Sequence, residues 1–217
     1  MNIEVNKTNI KVEGNNLVIE LTEELRKSLG MRHSKPLYEC KVGEIIVDNI
    51  GNEWYVVEQD IENMKAKVWR KELLEKTYRF DKKSNDFRNS EIKNILNDEN
   101  GNILNDIYKG FGKESVLVDT VDLLSLDGLN TYGTCDYKVH LGTFDDYRKA
   151  RRNGMFREEN KNSFWLDTPD STNEGYSSSY VLIVYGNGRV YYRGCFWVDH
   201  GVRPFCSLDS SICVSVE

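Results

Sequence analysis

Apolar positions are most regularly spaced near the end of the chain. Ser178–Gly194, "SSYVLIVYGNGRVYYRG", reads as two strands joined at Asn187-Gly188, a step suited to a type I′ turn because both central positions need positive φ. With that turn, period-two alternation puts Val181, Ile183, Tyr185, Val190 and Tyr192 on one face. Tyr180, Leu182, Val184, Arg189, Tyr191 and Arg193 fall on the other. The first set reads as core. The second mixes tyrosine with arginine, and two readings of it stand: a recognition surface, or a half-covered sheet face whose arginines reach water.

Upstream the same alternation recurs in shorter pieces. "TNIKVEGNNLVIEL" predicts a hairpin around Gly14-Asn15-Asn16, and Thr22 then caps a short helix, "EELRKSLG", ended by Gly30. "GMRHSKPLYE" has no period and contains Pro36, which suggests a linker and a boundary between residues 1–34 and 35–217. Beyond Cys40, "EIIVDNIGNEWYVVEQD" gives two apolar runs split by a turn at Asn49–Asn52, and "KAKVWRKEL" alternates Ala66 and Val68 with charges. "SEIKNILND" predicts a helix capped by Ser90. "TFDDYRKARR" predicts a second helix capped by Thr143, with Asp145 and Asp146 in its first turn and the basic residues late, as the helix dipole favours.

Composition narrows the class. With 217 residues, of which 39% are hydrophobic, the chain can bury a substantial core, and its net charge of −6 argues against binding nucleic acid non-specifically through phosphates. The start, "MNIEVNKTNIKVEG", lacks a signal-peptide pattern and no apolar run is long enough to cross a membrane, so a cytoplasmic protein without membrane contact is expected. Cys40, Cys135, Cys195, Cys206 and Cys213 are odd in number and form no CxxC pair. They read as reduced, mostly buried thiols rather than a disulfide framework or a zinc site.

Candidate chemistry is sparse. "GFGKES" lacks the glycine five positions before Gly112 and has Glu114 where a P-loop places Ser or Thr. "DENGN" has Ile103 where a calcium loop needs glycine. The spacings Cys195/His200 and Cys135/His140 do not establish a thiol–imidazole pair. Asp167 and Asp170 flank Pro169, and Asp119 and Asp122 lie in "VDTVD"; these acids read first as turn and fold residues and second as ligand contacts. Neither a catalytic set nor a metal or cofactor site emerges.

Several of these segments together resemble a domain family of unknown function widespread in Gram-positive bacteria and their phages. The resemblance rests on the W-L-x-T-P step at Trp165–Pro169, Gly175-Tyr176, the strand-Gly-strand hairpin and the closing G-V-R-P at Gly201–Pro204. Upstream it adds Tyr132–Cys135 and the Thr-x-x-x-Tyr-Arg-Lys pattern of Thr143–Lys149, so that it spans Val42 to the C-terminus. More distantly, Gly201, Val202 and Arg203 resemble the start of the last strand in the C-type-lectin-like fold of formylglycine-generating-enzyme relatives and of retroelement variable proteins. That resemblance implies an α+β domain with a twisted antiparallel sheet and two main helices, preceded here by the small hairpin–helix unit, and a ligand surface made from late strands and loops. The calcium motifs of true lectins and the cysteine site of the oxidising enzymes are missing, so neither chemistry transfers.

The function expected is non-catalytic binding, by a phage or prophage protein, of a protein or glycan through Tyr176, Tyr180, Arg189, Tyr191, Arg193, Trp197, Asp199 and His200. Alternatives are a host-takeover or counter-defence protein that blocks a host factor in the host cytoplasm, and a hydrolase or transferase without a recognisable motif. Of Phe196 and Trp197, one is expected buried and the other presented. Trp165 and Arg203 are expected to be structural, Arg203 by tying loop carbonyls or a carboxylate such as Asp167. Ile10, Val12, Leu17, Ile19 and Leu25 of the N-terminal unit dock on the main domain or on a second subunit.

Overall fold

A computed structural model describes residues 9–13, 16–20, 33–157, 162–172 and 176–216. The N-terminal hairpin is present as β1 (Asn9–Glu13) against β2 (Asn16–Glu20), with Ile10 opposite Ile19 and Val12 opposite Leu17. The expected helix after Thr22 lies outside the described residues. His33–Pro36, read from sequence as linker, is instead strand β3. Then come β4 (Ile45–Val47), β5 (Glu53–Asp60), β6 (Lys65–Arg70) and helices α1 (Glu91–Leu96) and α2 (Asn102–Phe111). Short strands β7 (Val116–Leu117), β8 (Asp119–Asp122), β9 (Thr134–Tyr137) and β10 (Val139–His140) lead to α3 (Phe144–Arg152). The chain ends with β11 (Phe164–Pro169), β12 (Tyr180–Val184), β13 (Val190–Gly194), β14 (Phe205–Asp209) and β15 (Cys213–Val216).

These elements make a mixed α+β structure whose strands pair almost wholly antiparallel. The main sheet runs β10-β14-β6-β5-β4-β15-β3, with β7 also on β14. A three-stranded sheet, β11-β12-β13, and the pair β8-β9 complete the arrangement. Three α-helices are present among the described residues, one more than the two the sequence suggested for residues 35–217. α2 was hidden because its apolar face, Leu104, Ile107 and Phe111, is interleaved with asparagine and glycine, poor helix formers whose cost burial offsets.

Both faces of the central strands are covered. On β5, Trp54 and Val56 join one apolar cluster while Val57 joins another; on β12, Val181 and Ile183 join the first and Leu182 and Val184 the second. This explains why "WYVV" and "YVLIV" are continuous apolar runs rather than clean alternations. The first cluster takes in Ile92 and Leu96 of α1, the apolar face of α2, and Trp165. The second centres on Trp69, whose ring meets Tyr147, Phe156, Phe164 and Phe205 edge-on.

Local signals were honoured where side chains satisfy backbone ends. Asp48 orders the Asn49–Asn52 turn by accepting from the Ile50 and Asn52 amides and from the Trp54 indole. Ser90 Oγ accepts from the Lys93 amide. Thr143 and Asp146 form a reciprocal capping box at α3, and the Phe144 amide donates to Thr168 Oγ1 on β11, fixing helix to sheet. Trp165 is fully buried, its indole donating to the Tyr78 carbonyl.

Arg203 is structural too: of the two routes expected it takes the backbone carbonyl, joined by ring faces, and not the carboxylate. Only 1% exposed, it lies 5.0 Å from the rings of Phe156 and of Phe164 and donates at 3.4 Å to the Arg70 carbonyl. Burial lowers its pKa to about 10. Asp167 is engaged elsewhere, so the cation is held by ring faces rather than by a carboxylate.

Gly142 shows how tightly the second cluster is built. Its φ of +83° is left-handed, and an added Cβ would sit 2.7 Å from Trp69 Cζ2. Gly142→Ala therefore combines a strained backbone with overpacking and should lose roughly 2–4 kcal/mol in urea unfolding. A loss under about 0.5 kcal/mol would show that Trp69 is free to move.

Candidate functional site

The hairpin β12–β13 forms, but in another register. Its loop has three residues, Gly186–Gly188: Gly188 donates to the Tyr185 carbonyl, Tyr185 to that of Arg189, and Val184 stands opposite Val190. Gly188 alone of the loop takes positive φ, whereas a type I′ turn would also require it of Asn187. The one-residue shift turns β13 over. Val190 and Tyr192 therefore share a face with Val184 and Leu182, and Tyr191 and Arg193 with Ile183 and Val181, the reverse of the sequence reading.

The consequence is a row of aromatics at the outer strand of the small sheet. Tyr191 and Tyr192 are 46% and 39% exposed, and their rings stack 4.6 Å apart. Tyr180 meets Tyr192 edge-on, and Tyr185 lies beside Tyr191. The Arg193 guanidinium covers the rings of Tyr185 and Tyr191 and donates to the Tyr185 hydroxyl. Arg189 is exposed. At the end of β13, Gly194 has no Cβ to obstruct Phe196 and Trp197. These two rings stack on each other and both are half exposed, so the expectation that one is buried is corrected.

The remaining predicted residues divide. Tyr176 opens a 3-10 turn, Tyr176–Ser179, and its side chain lies outside the described residues. Asp199 is well exposed. His200 is not at the surface: its ring is 4% exposed, packs edge-on against Trp165, and places Nδ1 2.5 Å from Ser163 Oγ. Burial lowers its pKa, so the neutral imidazole is favoured. His200 sits among core residues, with Nε2 3.4 Å from Asp199 Oδ1.

A second cluster, which sequence spacing did not bring together, joins Asp119, His140 and Asp167. His140 is 2% exposed and places Nδ1 2.6 Å from Asp167 Oδ2, while the Leu141 amide donates to both oxygens of Asp167. Asp119 accepts from Lys65 Nζ at 2.7 Å and Ser207 Oγ at 2.9 Å, and its Oδ2 lies 3.9 Å from His140 Nε2. Burial alone would strip the proton from His140, but the charges of Asp167 and Asp119 overcome it and push the pKa up to about 9. Burial likewise opposes ionisation of Asp119, yet the neighbouring His140, Lys65 and Lys67 hold its carboxyl well below the usual carboxylate range.

Asp119 and His140 of this cluster line a cleft of about 360 Å³ between β8, the loop through Ser125 and Gly128, and the first turn of α3. The thiols are elsewhere. Burial pushes Cys40 and Cys195 up to about 11 and Cys206 further, which disfavours the thiolate. Among the described residues all five cysteines are unpaired, no helix is long and apolar enough to cross a membrane, and no group of three or more His, Cys, Asp or Glu side chains is placed to hold a metal ion. No family model, curated protein or solved structure matches this chain.

The raised His140 pKa has a stability consequence. Its folded value, about 9, exceeds the ordinary 6.5 of an unfolded chain. The stabilisation is therefore complete below about pH 6.5 and is lost as pH rises towards 9, with a ceiling of about 3 kcal/mol. Urea midpoints of the wild type should fall between pH 6.5 and 8.5, below the range where the buried thiols contribute. His140→Gln should be less stable at pH 6.5 and flatter across that window. Equal slopes in the two proteins would show that His140 is neutral in the folded state.

Proposed function

We propose that the chain is a non-catalytic binding protein that engages a protein partner through the aromatic and arginine surface of β13 and the following loop. The observation that carries this is the exposure, between 39% and 57% each, of the stacked pair Tyr191 and Tyr192 on β13 and of Phe196, Trp197 and Val198 just beyond it. Large aromatics and arginine dominate interface energetics, and exposed apolar patches of this kind mark interaction sites on soluble proteins. The arginines give the surface a sign. Arg189 and Arg193 make no ion pair with a carboxylate among the described residues, and Asp199 is the acidic site residue there. A partner segment that presents carboxylates between apolar side chains is the complement.

The lectin-like reading of the fold belongs to the same proposal, since it assigns the ligand surface to the late strands and loops. So does the phage setting drawn from the sequence resemblance, in which the partner is a host protein.

Tyr191→Ala, Arg193→Ala and Trp197→Ala should each weaken partner binding by roughly 1–4 kcal/mol with little change in thermal stability. Val190→Ala and Val202→Ala, which touch the apolar clusters, should do the reverse and cost roughly 1–3 kcal/mol of stability. The measurement is quantitative affinity capture from a Gram-positive host lysate with each variant and with Tyr38→Ala, an exposed aromatic on another part of the surface. The expected result is a protein retained by wild type and Tyr38→Ala and depleted at least tenfold by Trp197→Ala and Arg193→Ala. Retention that is identical in all folded variants rules this surface out.

A further inference from the structure

The loop that sets the register of β13 also carries a reactive step. Asn-Gly occurs three times in the chain, at Asn100-Gly101, Asn153-Gly154 and Asn187-Gly188, and all three asparagines are exposed. Such a step can cyclise, because no side chain shields the glycine nitrogen and the asparagine amide carbon reaches it through a five-membered ring. In each case the glycine amide donates to a backbone carbonyl, that of Asp98, Arg151 and Tyr185 respectively, so this bond does not separate the three. Their side chains and neighbouring charges do.

At Asn153 the side-chain amide is committed to the helix. Its Nδ2 donates to the Lys149 carbonyl at 3.0 Å while its backbone amide closes the last turn of α3, so loss of that nitrogen would undo the helix end. At Asn100 the neighbour is an acid. Asp98 accepts from the Asn100 amide at 3.0 Å, and its Cγ lies 3.3 Å from the point a Cβ on Gly101 would occupy. A carboxylate there opposes both deprotonation of the Gly101 amide and negative charge on the attacked carbonyl.

Asn187 has the opposite setting. Its Oδ1 accepts from the Arg189 amide at 3.1 Å, and the ring closed by that bond contains the Gly188 nitrogen, so the side chain is folded over the peptide that attacks it. The same bond draws electrons from the amide carbon and leaves Nδ2, the leaving group, without a hydrogen bond among the described residues. Two cations stand beside the step. Arg189 follows Gly188 and is exposed, and Arg151 Nη2 lies 3.0 Å from the point a Cβ on Gly188 would occupy. Both favour the anionic states of the reaction.

We propose that Asn187 is a modification site, at which spontaneous deamidation puts an aspartyl or isoaspartyl residue into the loop. The Gly188 nitrogen gives its proton to a base in the solvent and attacks Asn187 Cγ; the Cγ–Nδ2 bond breaks and ammonia leaves, giving a cyclic imide. Water then opens the imide. Attack at Cγ leaves a normal aspartyl link, whereas attack at the backbone carbonyl routes the chain through Cβ and Cγ and lengthens it by one carbon. One water is consumed and one ammonia released, with no oxidation. Either product sets a carboxylate beside Arg189 and Arg151, and the isoaspartyl form also stretches the loop whose Gly188 carbonyl Tyr147 holds. The reaction needs no partner and stands independently of the binding function.

The test is incubation of the full chain at neutral and mildly alkaline pH in heavy-oxygen water, followed by peptide mapping that resolves aspartyl from isoaspartyl products at Asn100, Asn153 and Asn187. In the folded protein Asn187 should convert at least fivefold faster than either other asparagine. Its product should carry one heavy oxygen, form faster as pH rises, and be mostly isoaspartyl. In urea, where folding no longer distinguishes the steps, the three rates should converge to within threefold. Arg189→Gln keeps the backbone bond to Asn187 and should slow the step two- to fivefold; Asn187→Gln should abolish it there. The proposal is overturned if Asn187 converts in urea but not in the folded chain, if the three asparagines convert at equal rates in the folded chain, or if the product is aspartyl alone. So does an unchanged rate in folded Arg189→Gln overturn it, by removing the electrostatic basis for choosing Asn187.

Discussion

The charged cluster of Asp119, His140 and Asp167 is the joint on which the sheets depend. His140 belongs to β10 of the main sheet, Asp167 to β11 of the three-stranded sheet and Asp119 to β8 of the two-stranded pair, while Lys65 on β6 and Ser207 on β14 close the group around Asp119. Three separately hydrogen-bonded sheets therefore meet at one imidazolium. Burying a lone cation there would be prohibitive, and burying the two carboxylates without it equally so. Packing alone tolerates small slips of one sheet on another; a 2.6 Å contact between buried opposite charges does not. The cluster adds to the apolar clusters a single defined placement of β8, β10 and β11, although in net free energy its attraction is largely offset by desolvation.

A second constraint acts at the β12–β13 loop. The choice between a two-residue and a three-residue connection rests on whether Asn187 accepts positive φ, a difference of about a kilocalorie per mole in an isolated turn. Here the three-residue form has outside support: Tyr147 of α3 donates to the Gly188 carbonyl at 2.9 Å, and Val190 packs into the cluster around Trp69. In the other register Tyr191 would take the place of Val190 and a bulky ring would have to enter that cluster. Tertiary packing thus sets the register, and through it which tyrosines reach solvent.

Much of the fold was legible. The β1–β2 hairpin, the Asn49–Asn52 turn and the caps at Ser90 and Thr143 depend on neighbours in sequence, and each appears where the residue types place it. What was not legible depends on distant partners. α2 has weak formers rescued by burial, β3 is extended because β15 pairs with it, and His200 is inside because Trp165 and Ser163 receive it. For the proposed binding surface, the residue types were visible and their orientation was not. For the cleft, Asp119 and Asp167 were visible as acids and His140 as an isolated histidine, but 21 and 27 positions separate His140 from them. No period or motif carries such a distance, so only the fold assembles the cluster.

The two surfaces meet through α3. Its first turn, with Phe144, lines the cleft, and one turn later Tyr147 holds the hairpin loop from which β13 departs. A shared helix transmits an effect between sites only when it has two positions for ligands to choose between. α3 is fixed at both its start and its middle. The Thr143–Asp146 box and the Thr168 hydroxyl hold its N-terminus, Ala150 is fully buried, and Tyr147 is bonded at its tip and packed against Trp69. A helix pinned in this way works as a strut between the cleft and the tyrosine row, with no second position through which one could act on the other.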